Sequence, residues 1–390
     1  VRDVAVIGAG PAGSITAARL ASRGHDVVLL EEHVEVGQPV HCTGLLGFDA
    51  FDEFALPHSV IVGIAGAARF WSARGDSVTI RSDRARAAVI DRGALDALLA
   101  GWAVRAGAEL RTGARVDRIA VSPGAVHIDV RGESAPFAAR VCVLACGANY
   151  RLHRSLGLGP PSAFLQSAQL ETTFPAMAPS DVEVQFGRGV APGGFAWLVP
   201  FRRGDTSFAR IGLMTETRSR DRFRDFVRAL AARAGADPVA IASPRCRMLP
   251  LAPVARTYAD RVVAVGDAAG LVKPTTGGGI YYGLVSGAIA AGVLDRALGR
   301  DRLDAATLRQ YERGWRRRLG QEIRVGLAFR RVTARLTDAS IDALIELARV
   351  DGIAQLLQDT ASFNWHRKAA IALLADANVR RIVMQSWRNS

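Results

Sequence analysis

Apolar residues recur along this chain at two spacings, and each spacing predicts an element. Short apolar runs at 3–7, 26–31, 113–121, 125–130 and 140–145 read as strands, while 14–23 carries its apolar residues at helical spacing. The chain therefore opens as strand, Gly-rich turn, helix and strand, a βαβ unit. At 69–80 the pattern changes to short alternating strands. Val89-Ile90-Asp91-Arg92 then leads into a predicted helix at 93–106, with Asp91 placed to cap it.

From about 150 to 244 the pattern is different. Segments at 165–174, 182–186, 195–201 and 207–214 are β-like and are accompanied by one polar helix at 218–234, which predicts a separate sheet-based lobe. At 261–265 an apolar strand runs into Gly266-Asp267 and a glycine-rich helix start, so distant chain returns to the first domain. From about Asp304 onward the periodicity is helical, and no internal repeat is visible.

The opening turn carries chemistry. Gly8-x-Gly10-x-x-Gly13 stands between a predicted strand and a predicted helix, the context that makes this pattern informative. The first glycine allows the tight turn, the second admits a pyrophosphate close to the backbone, and the third lets helix pack on strand. The helix N-terminus adds orphan N–H donors and a positive dipole end. Glu31 lies at the end of the second strand, where a carboxylate can accept hydrogen bonds from ribose hydroxyls. A dinucleotide site follows.

Two further segments select FAD over NAD. Ala145-Cys146-Gly147 ends one strand and Gly266-Asp267-Ala268-Ala269-Gly270 follows another, and both resemble motifs of two-domain FAD enzymes. In that setting Asp267 reaches a ribityl hydroxyl, since a carboxylate only accepts and the sugar donates. Pro274-Thr275-Thr276-Gly277-Gly278-Gly279-Ile280 then opens a helix whose N–H groups could face the flavin N1 and C2 carbonyl, where negative charge collects on reduction. Lys273 would add to this field, but it reads first as an exposed, solvated lysine.

Composition excludes several classes. With 49% hydrophobic and 22% charged residues in a 390-residue chain, a folded globular protein is expected. The longest apolar run, 277–294, is interrupted by glycines and Ser286 and reads as a buried helix, not a membrane span. No export signal is visible before the first strand, so a cytoplasmic location is expected. Four cysteines, Cys42, Cys142, Cys146 and Cys246, are too few for a disulfide framework, and no metal site is expected. The formal charge of +13 rests almost wholly on arginine, Lys273 and Lys368 being the only lysines. Such a surface is either simply Arg-rich and solvated or suited to anionic lipid and acidic partners. The arginines are scattered, which argues against nucleic acid.

Three segments together resemble the geranylgeranyl (prenyl) reductase family of flavoproteins. They are Gly266 to Ile280, Pro39-Val40-His41-Cys42-Thr43-Gly44-Leu45, and Gly194-Phe195-Ala196-Trp197-Leu198-Val199-Pro200. The resemblance covers roughly residues 1–300. Members of that family use FAD to saturate isolated double bonds of prenyl chains, often on membrane lipids. Their aromatic signature usually reads Tyr-x-Trp-x-Phe-Pro; here Phe195 and Val199 replace the Tyr and the Phe, which removes a hydroxyl and reshapes the pocket.

The resemblance implies an α/β (α+β overall) fold: a discontinuous Rossmann-type FAD-binding domain (1–47, 83–149 and 245–300), an inserted β-sheet substrate domain (48–82 and 150–244), and a C-terminal helical region (301–390). It puts Ala12, Glu31, Cys42, Thr43, Arg92, Val116, Asp267, Gly279 and Ile280 at FAD. Gly8, Gly10, Gly13, Glu32, Gly44, Gly147, Gly266, Pro274, Gly277 and Gly278 complete the candidate cofactor set. Arg92 has its own rationale, because a guanidinium beside a pyrophosphate makes paired charged hydrogen bonds.

An isolated alkene is a poor hydride acceptor, so a reductase should protonate it while hydride reaches the developing tertiary cation. Trp197 and Phe195, on one strand face, could stabilise that cation through their ring quadrupoles by about 1–2 kcal/mol; they could equally be two core aromatics. Cys42 and His41 are the titratable residues expected nearest the flavin and could relay a proton, against the plainer readings of a buried thiol and a surface histidine. The chain has no second nicotinamide fingerprint. Electrons are therefore expected from transiently docked NAD(P)H or a ferredoxin-like carrier, which a basic surface would suit. A helix at 313–336, with Trp315, Leu319, Ile323, Leu327 and Phe329 among arginines, could lie on an anionic membrane at its inner face or simply pack as an amphipathic helix. Two rival functions share the scaffold: a monooxygenase or halogenase of secondary metabolism, and an electron-transfer flavoprotein acting on membrane quinone.

Overall fold

The computed structural model describes residues 1–81, 86–173, 181–233, 242–350 and 352–388. Phe174 and Ala234, expected ends of a strand and a helix, and the division expected at 82/83 lie outside the described residues. The chain packs into two compact units. One comprises Val1–Val40, Arg92–Ala163 and Pro250–Ile323; the other comprises His41–Asp91, Phe164–Leu249 and Arg324–Ser390. Residues 41–47 and 324–390 thus pack within the second unit, where the sequence suggested the first domain and a separate C-terminal region.

The first unit is built on a sheet in the order Tyr258–Ala259, Val262–Ala264, Phe137–Leu144, Arg2–Ile7, Val27–Leu30 and Glu109–Arg111. From Val262–Ala264 to Glu109–Arg111 the pairing is parallel. Val4, Ala5, Val6 and the run Val27 to Leu30 are fully buried, as continuous apolar runs of a parallel sheet covered on both faces require. Val116–Val121 and Val126–Val130 add antiparallel strands beside Phe137–Leu144. The strand expected at 113–121 begins only at Val116, because the chain turns at Gly113 with φ +67° after the separate strand Glu109–Arg111.

Helices Pro11–Ala21, Arg92–Arg105 and Ile280–Gly299 belong to this unit. The first and last approach closely at Gly287, where a Cβ would stand 2.7 Å from Ile15 Cγ2. The helix Ala305–Thr333 buries Trp315, Leu319 and Ile323. Trp315 Nε1 donates to Thr257 Oγ1 at 3.0 Å, and Tyr311 donates to the Ala264 carbonyl at 2.7 Å. That apolar stripe is therefore core, so of the two readings the sequence left open the packed amphipathic helix holds.

The second unit carries a seven-stranded sheet among its described residues, ordered Arg245–Pro250, Phe164–Thr173, Thr206–Thr215, Phe195–Arg203, Val182–Gln185, Ala67–Trp71 and Ser77–Arg81. A small sheet of Leu45–Gly47, Ala87–Ile90 and Ile61–Ala65, which sequence patterning did not reveal, accompanies it. Helix Ser219–Arg233 covers one face of the large sheet, where Phe223, Phe226 and Leu230 pack on Ala196, Leu198, Ile211 and Leu213. Burying each such large side chain contributes about 1.5–3 kcal/mol, enough to select the buried side of an otherwise charged helix. On the other face Val78 packs into a cluster of C-terminal residues, Leu336 between two helices and Ala348, Ile353, Val379 and Val383 on helices. Among the described residues no helix is long and apolar enough to cross a membrane.

Candidate functional site

In the first unit the three opening glycines have different surroundings. A Cβ on Gly8 would strike the Ala145 carbonyl, and one on Gly13 would strike the Gly8 carbonyl, so both positions are closed by packing. A Cβ on Gly10 would meet nothing within 4 Å. Open space therefore stands in front of the helix N-terminus, where Pro11 takes a first position that needs no N–H partner. This is the cradle a pyrophosphate requires. Ala12 packs between Gly266 and Gly283, its Cβ 2.9 Å from where a Cβ on Gly266 would lie.

Glu31 is buried at the strand end and accepts from Ala9 N at 2.9 Å, His33 N at 3.0 Å and His33 Nδ1 at 2.5 Å. An ionised carboxylate offers about four lone-pair positions, so one remains for a sugar hydroxyl. Glu32 beside it is exposed, Val116 is buried at a strand start, and Gly147 turns with φ +61°. Arg92 is held by Asp96 in a fork, Nε to Oδ1 at 3.1 Å and Nη2 to Oδ2 at 2.7 Å. Burial pushes the Asp96 carboxyl above its ordinary value against the pull of Arg92. Sequence reading missed Asp96; its signal was the i, i+4 spacing from Arg92.

Asp267 sits in the turn Gly266–Ala269. Tyr150 OH donates to the Asp267 carbonyl at 2.6 Å and His153 Nε2 to that of Ala268 at 2.6 Å, bracing the turn from below. The Asp267 carboxyl is pushed up to about 6 by loss of hydration, with Arg92 pulling the other way. Its Oδ1 stands 2.3 Å from where a Cβ on Gly279 would lie, so only a glycine fits there. Gly279 is the N-cap of the helix Ile280–Gly299, so carboxylate and helix start face each other across a glycine. Pro274, Gly277 and Gly278 form the preceding turn, closed by Lys273 N to Gly278 O at 3.0 Å and Gly277 N to Lys273 O at 2.8 Å. Lys273 is 5% exposed, its Cε 2.6 Å from where a Cβ on Gly278 would stand. The solvated reading of Lys273 is corrected: the turn wraps around its own lysine.

In the second unit the strand register defines one sheet face. Gln169, Gly212, Trp197, Val184, Phe70 and Val78 stand opposite one another across six strands, and cross-strand partners share a face. This is the face turned away from helix Ser219–Arg233. Aromatic rings line it in sequence: Phe70 to Phe186 at 6.3 Å, Phe186 to Phe195 at 5.9 Å, and Phe195 to Trp197 at 5.8 Å.

The other end of the face is polar. Arg210, 1% exposed, donates from Nε to Glu171 at 2.9 Å and from Nη1 to the Thr43 and Ile90 carbonyls at 2.9 Å each. Thr43 Oγ1 donates to Gln169 Oε1 at 2.9 Å, and Gly44 N to Cys42 Sγ at 3.3 Å. The segment bearing His41, Cys42, Thr43 and Gly44 is thus pinned beside the Trp197 row. His41 is half-buried, and desolvation together with Arg247 and Arg245 pushes its pKa down to about 4. Trp197 Nε1 and Arg210 Nη2 are buried donors without a partner among the described residues, open to an oxygen of a ligand or water. Arg210 and Gly212 escaped the sequence reading, although a charged residue and a glycine inside an apolar strand each signal a special contact.

The FAD-binding domain family matches residues 2–318. The chain is 30% identical over 380 residues to the digeranylgeranylglycerophospholipid reductase of Methanocaldococcus jannaschii, covering 90% of this chain and 92% of that protein. It is 31% identical over 364 residues to digeranylgeranylglycerophospholipid reductase 2 of Methanothermobacter thermautotrophicus, covering 88% and 90%. Among solved structures, a geranylgeranyl bacteriochlorophyll reductase-like protein from Thermoplasma acidophilum superposes with TM-score 0.84 over 99% of this chain and 98% of that one, at 20% identity. The halogenase PltM in complex with phloroglucinol and FAD reaches 0.69 over 100% and 92%, at 17% identity. At those identities the structural likenesses are of fold. The expected mixed α/β fold, the FAD cofactor and the oxidoreductase class all stand. With its family match across the first 318 residues and its likeness to archaeal relatives over nearly their whole length, the chain belongs to the FAD-binding domain family and, within it, to the family of the digeranylgeranylglycerophospholipid reductases.

Proposed function

We propose that this enzyme saturates isolated double bonds in the prenyl chains of a glycerophospholipid. The observation that carries the reading is the likeness, over nearly full length, to relatives named for that activity. The aromatic face of the second unit agrees with it, since a polyprenyl chain offers only apolar surface and alkene π-bonds.

FAD, when bound, supplies the hydride. The chain's own residues do the rest. Gly8, Gly10 and Gly13 with the first helix N-terminus take the pyrophosphate, Glu31 a ribose hydroxyl, Arg92 a phosphate oxygen, and Asp267 a ribityl hydroxyl. The helix start at Gly277 to Ile280 favours negative charge on the isoalloxazine. Trp197 and Phe195 hold the alkene and stabilise positive charge on its tertiary carbon by about 1–2 kcal/mol. Saturation also needs one proton, which the Cys42 thiol gives to the alkene and regains from water; His41, with a pKa near 4, is neutral at physiological pH and is not that donor. Electrons arrive from NAD(P)H or an acidic carrier of the ferredoxin kind.

The test is anaerobic. Enzyme with chemically reduced flavin is offered a digeranylgeranyl glycerophospholipid, a phenol with halide and oxygen, and a quinone in separate reactions. Flavin reoxidation by the lipid without oxygen, with two hydrogens gained per bond, is the expected result. Reoxidation only by oxygen, with a hydroxylated or halogenated product, would overturn the proposal, and reoxidation by quinone alone would assign electron transfer instead.

A further inference from the structure

The helix Ala377–Arg388 has two unlike sides. Val379, Val383 and Ser386 are buried at helical spacing, the two valines within the cluster that also holds Leu336, Ala348 and Ile353. Ser386 Oγ accepts from Thr337 N at 3.0 Å, which fixes the helix's rotation about its axis. The outer side carries Arg380, Arg381, Met384, Trp387 and Arg388, all exposed. Met384 is 54% exposed and Trp387 44%. The neighbouring helix Arg367–Ala375 exposes Lys368 and Ile371, three residues apart.

Two large, partly exposed apolar side chains on one stripe are unusual, because exposed apolar residues normally stand singly; the Arg335 guanidinium lies over the Trp387 ring at 5.7 Å and adds a further positive charge. The charge around them is one-sided. Over 367–388 the chain has Arg367, Lys368, Arg380, Arg381 and Arg388 against Asp376 alone. Asp376 Oδ1 is already engaged, accepting from Asn378 N and Val379 N at 2.9 Å each. Among the described residues no carboxylate stands within ion-pair distance of Arg380, Arg381 or Arg388. Whatever covers this stripe must bring both apolar volume and negative charge.

We infer that the outer face of helix Ala377–Arg388, with Lys368 and Ile371 beside it, is the surface by which the enzyme sits on an anionic phospholipid bilayer. Trp387 and Met384 enter the boundary between headgroups and acyl chains, a depth that suits an amphipathic indole, while the arginines reach back to lipid phosphates. This choice of occupant rests on the phospholipid reading of the substrate; the stripe itself does not.

FAD-loaded enzyme is sedimented with phosphatidylcholine vesicles and with vesicles that also contain phosphatidylglycerol. Binding is expected with the second kind only, and salt should weaken it. Arg380→Glu with Arg381→Glu, and separately Met384→Ser with Trp387→Ser, should each weaken it by about tenfold or more. Flavin content and turnover of detergent-dispersed lipid should stay unchanged in both variants. Absent or charge-independent vesicle binding, or binding untouched by either variant, overturns the inference. So does a wild-type dimer that these variants dissociate, which would give the stripe to a second copy. Turnover of dispersed lipid is read separately, so failure of the reductase reading is distinguishable from failure of this one.

Discussion

The indole of Trp197 lies across Gly212, its partner on the neighbouring strand. A Cβ on Gly212 would stand 2.5 Å from Trp197 Cζ2 and 2.9 Å from its Nε1. The ring is flat against the sheet because residue 212 has no side chain. Gly212→Val should therefore lift the ring, lower kcat on prenyl lipid by about tenfold or more and leave the flavin absorbance of the purified protein intact. Trp197→Ala should do the same by removing the ring. Full activity in either variant would remove Trp197 from the chemistry.

Asp267 gives a pH dependence whose sign follows from its raised pKa. The folded carboxyl binds its proton up to about pH 6, the unfolded one only to about 3.9. Apo-protein stability should therefore fall as pH rises between those values. A hydroxyl that donates to the carboxylate makes FAD binding release this proton, so FAD affinity should rise through pH 6. Asp267→Asn should flatten both curves in calorimetric titrations.

His41 has the opposite sign of shift. Its folded pKa near 4 lies below the ordinary value of about 6.5, so stability should be lost as pH falls through that window. His41→Gln should reduce the slope of the urea midpoint between pH 4 and 6.5.

Arg210→Met removes the donor to two backbone carbonyls and to Glu171. A loss of about 3 kcal/mol in urea unfolding is expected, because the Ile90 carbonyl is buried and the Thr43 carbonyl partly so, and each loses its charged donor. Glu171 keeps Arg203 as a partner, which limits the cost.

Asp96→Ala should weaken FAD binding by about tenfold without touching FAD directly, by releasing the Arg92 fork. Arg92→Lys should not rescue, since an ammonium cannot reproduce the planar pair of donors. Equilibrium dialysis of FAD against the apo-protein checks both.

Much of the first unit was legible before folding. The opening strand, turn and helix are encoded in about twenty consecutive residues, where Gly8 and Gly13 answer a local demand of packing and Gly10 keeps the space before the helix open. The second unit was legible as strands, yet not as a surface. A strand's two faces differ by one residue of register, and register is set by partners distant in the chain. Trp197 could be assigned to the aromatic face only once Gly212 and Gln169 were placed opposite it.

The same limit explains the errors. Lys273 is buried although its sequence suggests a solvated lysine, because nothing in a single lysine's neighbours says that a turn will close around it. The stripe from Trp315 to Ile323 is no such error: its periodicity fits a membrane-surface helix and a packed one alike, and burial decides for the packed one. Sequence by itself determined the βαβ opening, the FAD cofactor and the family, because those rest on short motifs of consecutive residues. Tertiary structure decided which side chains meet: Asp96 with Arg92, Gly279 with Asp267, Gly212 with Trp197, and which helix shows its apolar stripe to water, because those depend on contacts between residues far apart in the chain.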